Sequence, residues 1–284
     1  MRAVVLDSAG QPRLADVPEP EPKREGELVR VLACGLCGSD VEKIGPGAEG
    51  WVLGHEVVAE RAGGRRVVLV HHLSCGECER CRAGHESTCD AFEAATIVPG
   101  GFAERAHARA WVELPPSLPD AVATYAEPLA CVLRGAERVP RGRILVVGCG
   151  FVGRLFAEVF CRRGDELFSL EPREERRCAP ALDGPVDAAV LCAPAGGNEA
   201  LAALVPGGTL LVFAGSTPLD LGPVYRHELH VTGSRSATPR HLEAAVALLP
   251  DLDVPEPTVL PLERFDEGLE LYRRRQALKL VFTP

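Results

Sequence analysis

The sequence has no run of about 18 apolar residues, the length that a membrane-spanning helix requires. Its first ten residues, MRAVVLDSAG, lack the order of charged, apolar and small residues that marks a secretory signal peptide. Positive charge is not in excess, because the sequence has 31 Lys and Arg residues but 40 Asp and Glu residues, which gives a net charge of -9. These features argue against a membrane protein and against nucleic acid or an anionic membrane as a partner. We therefore expect a cytoplasmic protein.

The composition is that of a globular chain with room for two modest domains. It has 284 residues, of which 46% are hydrophobic and 25% charged. Eleven cysteines are present. In the cytosol thiols stay reduced, so clustered cysteines favour a metal site over disulfides. The cluster lies in SCGECERCRAGHESTC and consists of Cys75, Cys78, Cys81 and Cys89.

The spacing of these four cysteines predicts a structural zinc site. Four thiolates fill the tetrahedral coordination of zinc and leave no position for water or substrate, so such a site folds its loop and performs no chemistry. A redox role would need a thioredoxin-like context around Cys75, which the sequence lacks. His85 could replace one cysteine as a ligand, or be a surface histidine. We interpret the isolated cysteines as small buried hydrophobic residues: Cys34, Cys131, Cys149, Cys161, Cys178 and Cys192.

Two earlier segments, CGLCGSD and LGHEVVAE, carry the ligand types of a catalytic zinc. Such a site uses three protein ligands and keeps one position open. Cys37, His55 and Glu56 supply a thiolate, an imidazole and a carboxylate. The order of these segments, upstream of the four-cysteine loop, predicts a catalytic metal centre. His71 and His72 follow an apolar run, and we interpret them as a strand end facing a cleft or solvent.

The segment RILVVGCGFVGRLFAEVFCRRG predicts a strand, a glycine turn and a helix that ends at Gly164. Gly148, Gly150 and Gly153 follow the G-x-G-x-x-G order, which lets the backbone approach a pyrophosphate at a helix N-terminus. Glu171 ends the next apolar run, ELFSLE, at the offset of an acid that binds the ribose hydroxyls. Alternatively, Glu171 is a solvated acid at the end of a strand.

Further apolar runs alternate with a helical pattern and predict a parallel, doubly wound sheet. Only PREERRCAPALDGP separates Glu171 from the next run, VDAAVLCA, which is too short for a full strand and helix unit. We therefore expect about five strands in place of six. The amino-terminal part has short apolar runs broken by Gly and Pro, which are typical of a β-rich barrel. The tail predicts one helix and one strand.

The motifs, taken in order, resemble the zinc-dependent medium-chain dehydrogenases of the alcohol dehydrogenase superfamily, and most closely their polyol and threonine dehydrogenase branch. They are C-G-x-C-G-S-D, G-H-E, the four-cysteine loop, G-G-F-A-E, E-P-L-A, G-x-G-x-x-G and a closing K-L-V-F-T-P. The resemblance implies an α/β protein with a GroES-like β-rich catalytic domain and a shortened Rossmann sheet. The implied boundaries are 1–120 with 256–284 for the catalytic domain, including a zinc lobe at 74–90, and 121–255 for the dinucleotide domain.

The resemblance also implies roles for individual residues. Cys37 and His55 match catalytic zinc ligands, Glu56 an acid that binds zinc in some members, and Glu127 an acid that either binds zinc or holds its water. Glu127 could also be an acid that favours a helix start. Ser39 matches the hydroxyl that passes on the substrate proton, and Asp40 would orient His55. The implied dinucleotide-binding residues are Gly148, Gly150, Phe151, Val152, Gly153, Glu171 and Arg176.

The implied activity is hydride transfer between an alcohol, such as a secondary alcohol or polyol, and a nicotinamide cofactor, with two zinc ions per chain. Glu171 favours NAD, whereas Arg173, Arg176 and Arg177 could bind the 2'-phosphate of NADP. We expect a small alcohol or carbonyl substrate and a homodimer or homotetramer. The alternatives are a relative that has lost cofactor binding and acts as a ligand-binding or assembly module, and a zinc-free reductase, which the retained ligand set contradicts.

Overall fold

The computed structural model describes residues 1–22, 25–92, 96–215 and 218–284. By its internal contacts the chain divides into two compact units. The first unit comprises residues 1–128, 237–251 and 255–284, and the second comprises residues 129–236 and 252–254. Residues 121–128 and 237–251 therefore group with the β-rich unit, although the sequence predicted them in the dinucleotide domain. The domain boundaries remain predictions.

The first unit contains most of the strands of the described chain. Its strands are β1 (Arg2–Leu6), β2 (Pro12–Asp16), β3 (Glu27–Gly35), β4 (Glu56–Arg61), β5 (Arg65–Leu69), β6 (Ile97–Val98), β7 (Arg105–Ala108) and β8 (Trp111–Glu113). Its short helices are α1 (Gly38–Glu42), α2 (Glu79–Arg82) and α3 (Asp120–Ala123), and α4 (Ala126–Ala136) begins in this unit.

The second unit alternates strands and helices, as the sequence predicted. Its elements are β9 (Arg143–Val147), α5 (Phe151–Arg163), β10 (Glu166–Leu170), β11 (Val186–Leu191), α6 (Gly197–Ala203), β12 (Leu204–Val212), α7 (Gly222–Arg226) and β13 (His230–Gly233). The chain then returns to the first unit with α8 (Pro239–Leu248), β14 (Thr258–Pro261), α9 (Phe265–Arg273) and β15 (Leu280–Thr283).

The β-rich sheet of the first unit is built around β3. This strand pairs antiparallel with β4, β7 and β15, so the last strand of the chain lies beside the first long one. Phe102, Phe265 and Phe282 pack together beneath it, with ring centroids 4.6 to 5.6 Å apart. Burial of these rings draws the carboxyl-terminal segment into the amino-terminal core. The predicted tail, one helix and one strand, is confirmed by α9 and β15.

The sheet of the second unit is parallel and has five strands among the described residues, in the order β10, β9, β11, β12, β13. The expectation of about five strands is confirmed. A six-stranded doubly wound sheet has one further strand outside β10. Here a single bridge between Ser169 and Ala181 occupies that side. The missing strand leaves β10 at the edge and the stretch after Glu171 without a helix longer than the 3-10 turn Glu174–Arg176.

Helix α5 follows the predicted pattern. Leu155, Phe156, Val159 and Phe160 are buried on its sheet-facing side. The helix ends at Gly164, whose φ of 81° is the left-handed conformation that glycine adopts without penalty. Among the described helices none has the length and apolar character needed to cross a membrane.

Candidate functional site

Three side chains with metal-binding atoms meet at one end of the β3 and β4 pair. Cys37 follows β3, His55 precedes β4, and Glu56 begins β4, opposite Gly35. The sulfur, imidazole and carboxylate atoms that they offer all lie within 4.8 Å of one another. The antiparallel pairing accounts for this, because it brings the end of one strand beside the start of the next. The structure thus brings together the three predicted ligands.

Asp40 connects the two segments that carry these ligands. Its carboxylate accepts hydrogen bonds from the backbone N–H groups of Cys37 (3.1 Å) and Gly54 (3.2 Å) and lies 3.1 Å from His55 Nδ1. Burial alone would raise the pKa of Asp40, but the neighbouring His55 and these hydrogen bonds hold it below its usual value. An acid in this position fixes the orientation of a metal-binding imidazole and leaves Nε2 for the metal.

Glu56 has a partner that sequence reasoning did not identify. The Lys279 ammonium forms an ion pair with Glu56 Oε2 and donates a hydrogen bond to the Leu36 carbonyl at 3.1 Å. Both charged side chains are at least 95% buried. Burial would lower the pKa of Lys279, but Glu56 and the other negative groups around it raise it. The signal in the sequence was a lysine directly before the apolar closing strand LVFT, where a buried cation needs a partner.

We predict that Lys279→Met will destabilise the protein, because the Glu56 carboxylate would stay buried without its cation. The expected loss in free energy of unfolding is about 3 to 5 kcal/mol. Denaturant unfolding of the zinc-free protein measures it, because a zinc ion held by Glu56 would itself supply a cation, and the exposed Lys43→Met is the control. Adding Glu56→Gln to Lys279→Met should restore part of the loss. An unfolding free energy equal to that of the wild type would contradict this account.

Glu127 and Ser39 lie in the same unit as the three ligands. Glu127 is half-buried in the first turn of α4 and is outside the group whose ligand atoms lie within 4.8 Å. Burial would lower the pKa of His55, but Asp40 and Cys37, with a further contribution from the charge of Glu127, raise it well above its usual value. Ser39 is half-buried in α1, two residues after Cys37.

A row of rings extends from His55. The His71 ring stacks on His55 with centroids 4.4 Å apart, His72 lies 3.7 Å from His71, and Phe92 lies 4.6 Å from His72. Contact between His71 and a candidate ligand was not predicted from the sequence, and it follows from the antiparallel pairing of β4 with β5. The pair His71 and His72 is half-buried, in agreement with a strand end that faces a cleft or solvent.

The four-cysteine loop folds around a single point. The distances between sulfur atoms are 3.9 Å (Cys75 to Cys81), 3.5 Å (Cys78 to Cys81), 3.8 Å (Cys78 to Cys89) and 3.5 Å (Cys75 to Cys89). With zinc–sulfur bonds of about 2.3 Å, the edges of a ZnS4 tetrahedron are about 3.8 Å. The donor atoms therefore fit zinc.

Backbone N–H groups also point at these sulfurs. The N–H of Cys78 donates to Cys75 Sγ at 3.3 Å, and that of Cys81 donates to Cys78 Sγ at 3.4 Å. The latter bond lowers the pKa of Cys78 to about 7, whereas burial and the neighbouring thiols raise the pKa of Cys81 to about 12. His85 is exposed and does not belong to the ligand group.

The glycine loop of the second unit has the form that a dinucleotide site requires. Gly148 has φ 86°, and a Cβ at Gly153 would lie 2.0 Å from the Gly148 carbonyl oxygen. These two positions therefore require glycine. A Cβ at Gly150 would meet no described atom within 4 Å, so the backbone there faces open space at the start of α5. Phe151 and Val152 form the first turn of that helix, where a pyrophosphate can bind.

Glu171 lies directly after β10 and beside this loop. Its carboxylate accepts the backbone N–H of Cys149 at 3.3 Å and that of Arg173 at 3.2 Å. Arg177 forms an ion pair with Glu174 at 3.5 Å. The Arg176 carbonyl accepts a hydrogen bond from Arg154 at 3.0 Å. Glu171 thus lies at the glycine loop, while the Arg154 bond ties the following segment to α5.

The interpretation of the isolated cysteines as buried hydrophobic residues is correct for Cys34 and, as regards burial, for Cys149, whereas Cys131 and Cys192 are half-buried and the remaining two depart from it. Cys149 and Cys178 form a disulfide, the one bond of this kind among the described residues. Cys161 is exposed. The sequence did not reveal the pair, because the two positions meet only when the shortened stretch after Glu171 folds back onto the glycine loop.

Comparison with known proteins agrees with this architecture. The family model for the alcohol dehydrogenase GroES-like domain matches residues 24–119. The chain is 31% identical over 301 residues to D-altritol 5-dehydrogenase of Agrobacterium fabrum, covering 88% of each chain. It is 25% identical to sorbitol dehydrogenase of Halalkalibacterium halodurans, over 100% of this chain and 99% of that one.

The fold is also that of solved enzymes. The alcohol dehydrogenase TADH from Thermus sp. ATN1 is 24% identical, with a TM-score of 0.84 and coverage of 100% of this chain and 99% of that one. The similarity to D-altritol 5-dehydrogenase covers 88% of the chain and therefore spans parts of both units, including the glycine loop. The chain belongs to the zinc-dependent medium-chain dehydrogenases of the alcohol dehydrogenase superfamily and is an alcohol oxidoreductase.

Proposed function

We propose that this protein is a zinc- and NAD-dependent dehydrogenase of a polyol or a related secondary alcohol. The observation that carries the proposal is the meeting of Cys37, His55 and Glu56, whose ligand atoms lie within 4.8 Å of one another in the GroES-like unit. A thiolate, an imidazole and a carboxylate together suit zinc better than magnesium or calcium, which prefer oxygen ligands alone. The relatives that bear polyol names, D-altritol 5-dehydrogenase and sorbitol dehydrogenase, support the substrate class.

Each residue of the candidate site has a proposed task in alcohol oxidation. When bound, zinc supplies a Lewis acid that favours loss of the alcohol proton, and the nicotinamide accepts the hydride. Cys37, His55 and Glu56 would hold the metal, and Asp40 would keep the His55 ring in position. Lys279 would balance the charge of Glu56.

Two further residues would serve the proton and the water of the site. Ser39 follows Cys37 by two residues and would pass the alcohol proton outward. Glu127 lies outside the group of three ligands. We therefore propose that it holds water or substrate near the metal and does not ligate it directly. Cys75, Cys78, Cys81 and Cys89 would hold a second zinc that stabilises their loop.

We infer NAD as the cofactor from the position of Glu171. Its carboxylate lies at the glycine loop, 3.3 Å from the Cys149 nitrogen, where it can accept hydrogen bonds from ribose hydroxyls and would repel a 2'-phosphate. The arginines that could favour NADP lie on the following segment, where Arg177 pairs with Glu174. We propose Arg176 as a second contact on the ribose side, because Arg154 of α5 donates a hydrogen bond to its carbonyl and so ties it to the helix that follows the glycine loop.

The proposed function is tested by a substrate and cofactor assay with a Glu171 variant. We expect zinc-loaded protein to reduce NAD with one or more members of a polyol panel that includes D-altritol and sorbitol, with a higher kcat/KM for NAD than for NADP. Glu171→Ala should lower kcat/KM for NAD about tenfold and raise it for NADP, because one charged hydrogen-bond partner is worth about 1.4 kcal/mol or more. Glu175→Ala, on the same segment, is the control. A wild-type preference for NADP would overturn the cofactor assignment.

The ligand-binding or assembly module that has lost its cofactor is not favoured. The requirement for glycine at Gly148 and Gly153 and the open space at Gly150 preserve a site for a pyrophosphate. A homodimer or homotetramer remains a prediction.

A further inference from the structure

We propose that Cys149 and Cys178 are a reversible dithiol–disulfide pair that sets the affinity of the second unit for its dinucleotide, with the disulfide form binding more tightly. The inference rests on the proposed function, because it assumes that the glycine loop binds a dinucleotide. The position of the disulfide supports this inference. Cys149 lies between Gly148 and Gly150 in the phosphate-binding loop, and Cys178 lies on the segment that follows Glu171.

The segment from Glu171 to Gly184 depends on few other attachments. It contains only one 3-10 turn and a single-residue bridge to β10 among its described residues. Ser169 binds the carbonyls of Pro180 (2.8 Å) and Ala179 (2.6 Å). The Arg176 carbonyl accepts a hydrogen bond from Arg154, and Asp183 forms an ion pair with Arg143 near the far end of the segment. Pro172 to Glu175 are exposed, so this part of the segment buries little apolar surface. The disulfide is therefore the strongest link between the segment and the glycine loop.

Loss of the disulfide would affect Glu171, the residue that we propose selects the cofactor. Glu171 is bonded on one side to the Cys149 N–H and on the other to the Arg173 N–H, so it lies between the loop and the segment. With the disulfide intact, the carboxylate is held beside the loop before any ligand arrives. With free thiols, the segment can leave that position, and binding must order it again. The apparent dissociation constant then rises by the inverse of the competent fraction.

The positions of the two sulfurs permit the exchange reaction. Cys149 is 1% exposed, whereas Cys178 is half-buried, so we assign the first attack to Cys178. Reduction begins when the thiolate of a low-molecular-weight thiol attacks Cys178 Sγ, which breaks the disulfide and releases Cys149 as a thiolate. A second small thiolate then frees Cys178, and the two small molecules leave as one disulfide. Oxidation is the reverse: a small disulfide takes two electrons from the two cysteines and leaves as two thiols.

The test compares NADH binding to the zinc-loaded full chain with the pair oxidised and with the pair reduced. Calorimetry gives the dissociation constant, and peptide mass analysis confirms that the peptides containing Cys149 and Cys178 are joined in one sample and separate in the other. Zinc content is measured in both samples, so that loss of metal from the other cysteines is detected. We expect about tenfold weaker binding in the reduced sample, as for a competent fraction near 10%.

Two cysteine variants separate this pair from the other thiols. Cys178→Ser should bind NADH like the reduced wild type and should not respond to reductant, whereas Cys161→Ser, with its exposed thiol on α5, should respond as the wild type does. Hydrogen exchange of residues 171–184 without ligand should be faster in the reduced protein and in Cys178→Ser. The proposal would be overturned by equal NADH affinities in the two verified states or by tighter binding in the reduced state. It would also be overturned if the NADH affinity of Cys178→Ser still responded to reductant. Failure of NADH to bind in both states would instead overturn the proposed cofactor, and this inference with it.

Discussion

Replacing Cys37 with serine is expected to lower kcat by on the order of 10³-fold or more while leaving the fold intact. Substitution of a residue that only supports a metal ligand already lowers metal affinity or activity about 10- to 100-fold. Substitution of a direct ligand should lower it further. A serine hydroxyl stays protonated at neutral pH and cannot replace the charge of a thiolate. Cys37 is half-buried at the edge of the core, so its exchange for serine removes little packing.

The measurement combines alcohol-dependent NAD reduction, zinc content and thermal unfolding. The expected result is one zinc per chain in place of two, no measurable turnover and a melting temperature close to that of the wild type. Cys34→Ala is the matched control, because Cys34 is a buried cysteine of the same strand end that does not belong to the ligand group. Normal turnover in Cys37→Ser, or loss of turnover in Cys34→Ala alone, would show that the metal centre is placed wrongly.

Replacing Cys78 with serine is expected to act on stability instead. The binding energy of a structural zinc is folding energy, and a four-thiolate site has no open position for substrate. A loss of about 3 to 5 kcal/mol corresponds to a fall of roughly 10 °C in melting temperature for a protein of this size. The residual activity measured at low temperature should stay within a few-fold of that of the wild type.

The control is His85→Ala, which also tests the alternative ligand. His85 lies inside the loop but is exposed and outside the ligand group, so its removal should leave the melting temperature and zinc content unchanged. A large fall in stability for His85→Ala, with none for Cys78→Ser, would reverse the assignment of the ligands. Metal analysis that finds one zinc in a folded, active chain would contradict the predictions for both Cys37→Ser and Cys78→Ser.

Features that depend on short spacings could be predicted from the sequence. The cysteines from Cys75 to Cys89 fall within one loop, and the glycines after β9 act through the local backbone, so the residue order alone specifies the geometry. The five-stranded sheet was predictable for a similar reason, because the stretch between β10 and β11 is too short for another strand and helix. The order of motifs was enough to identify the family before any contact was known.

Features that join distant segments were decided by the tertiary structure. Lys279 reaches Glu56 only because β15 pairs with β3 beside β4, and Cys149 reaches Cys178 only because an edge strand is missing. A single sequence records which side chains exist and how they are spaced along the chain. Which buried charges and thiols become neighbours depends on the pairing of strands far apart in sequence, where local preferences carry no information.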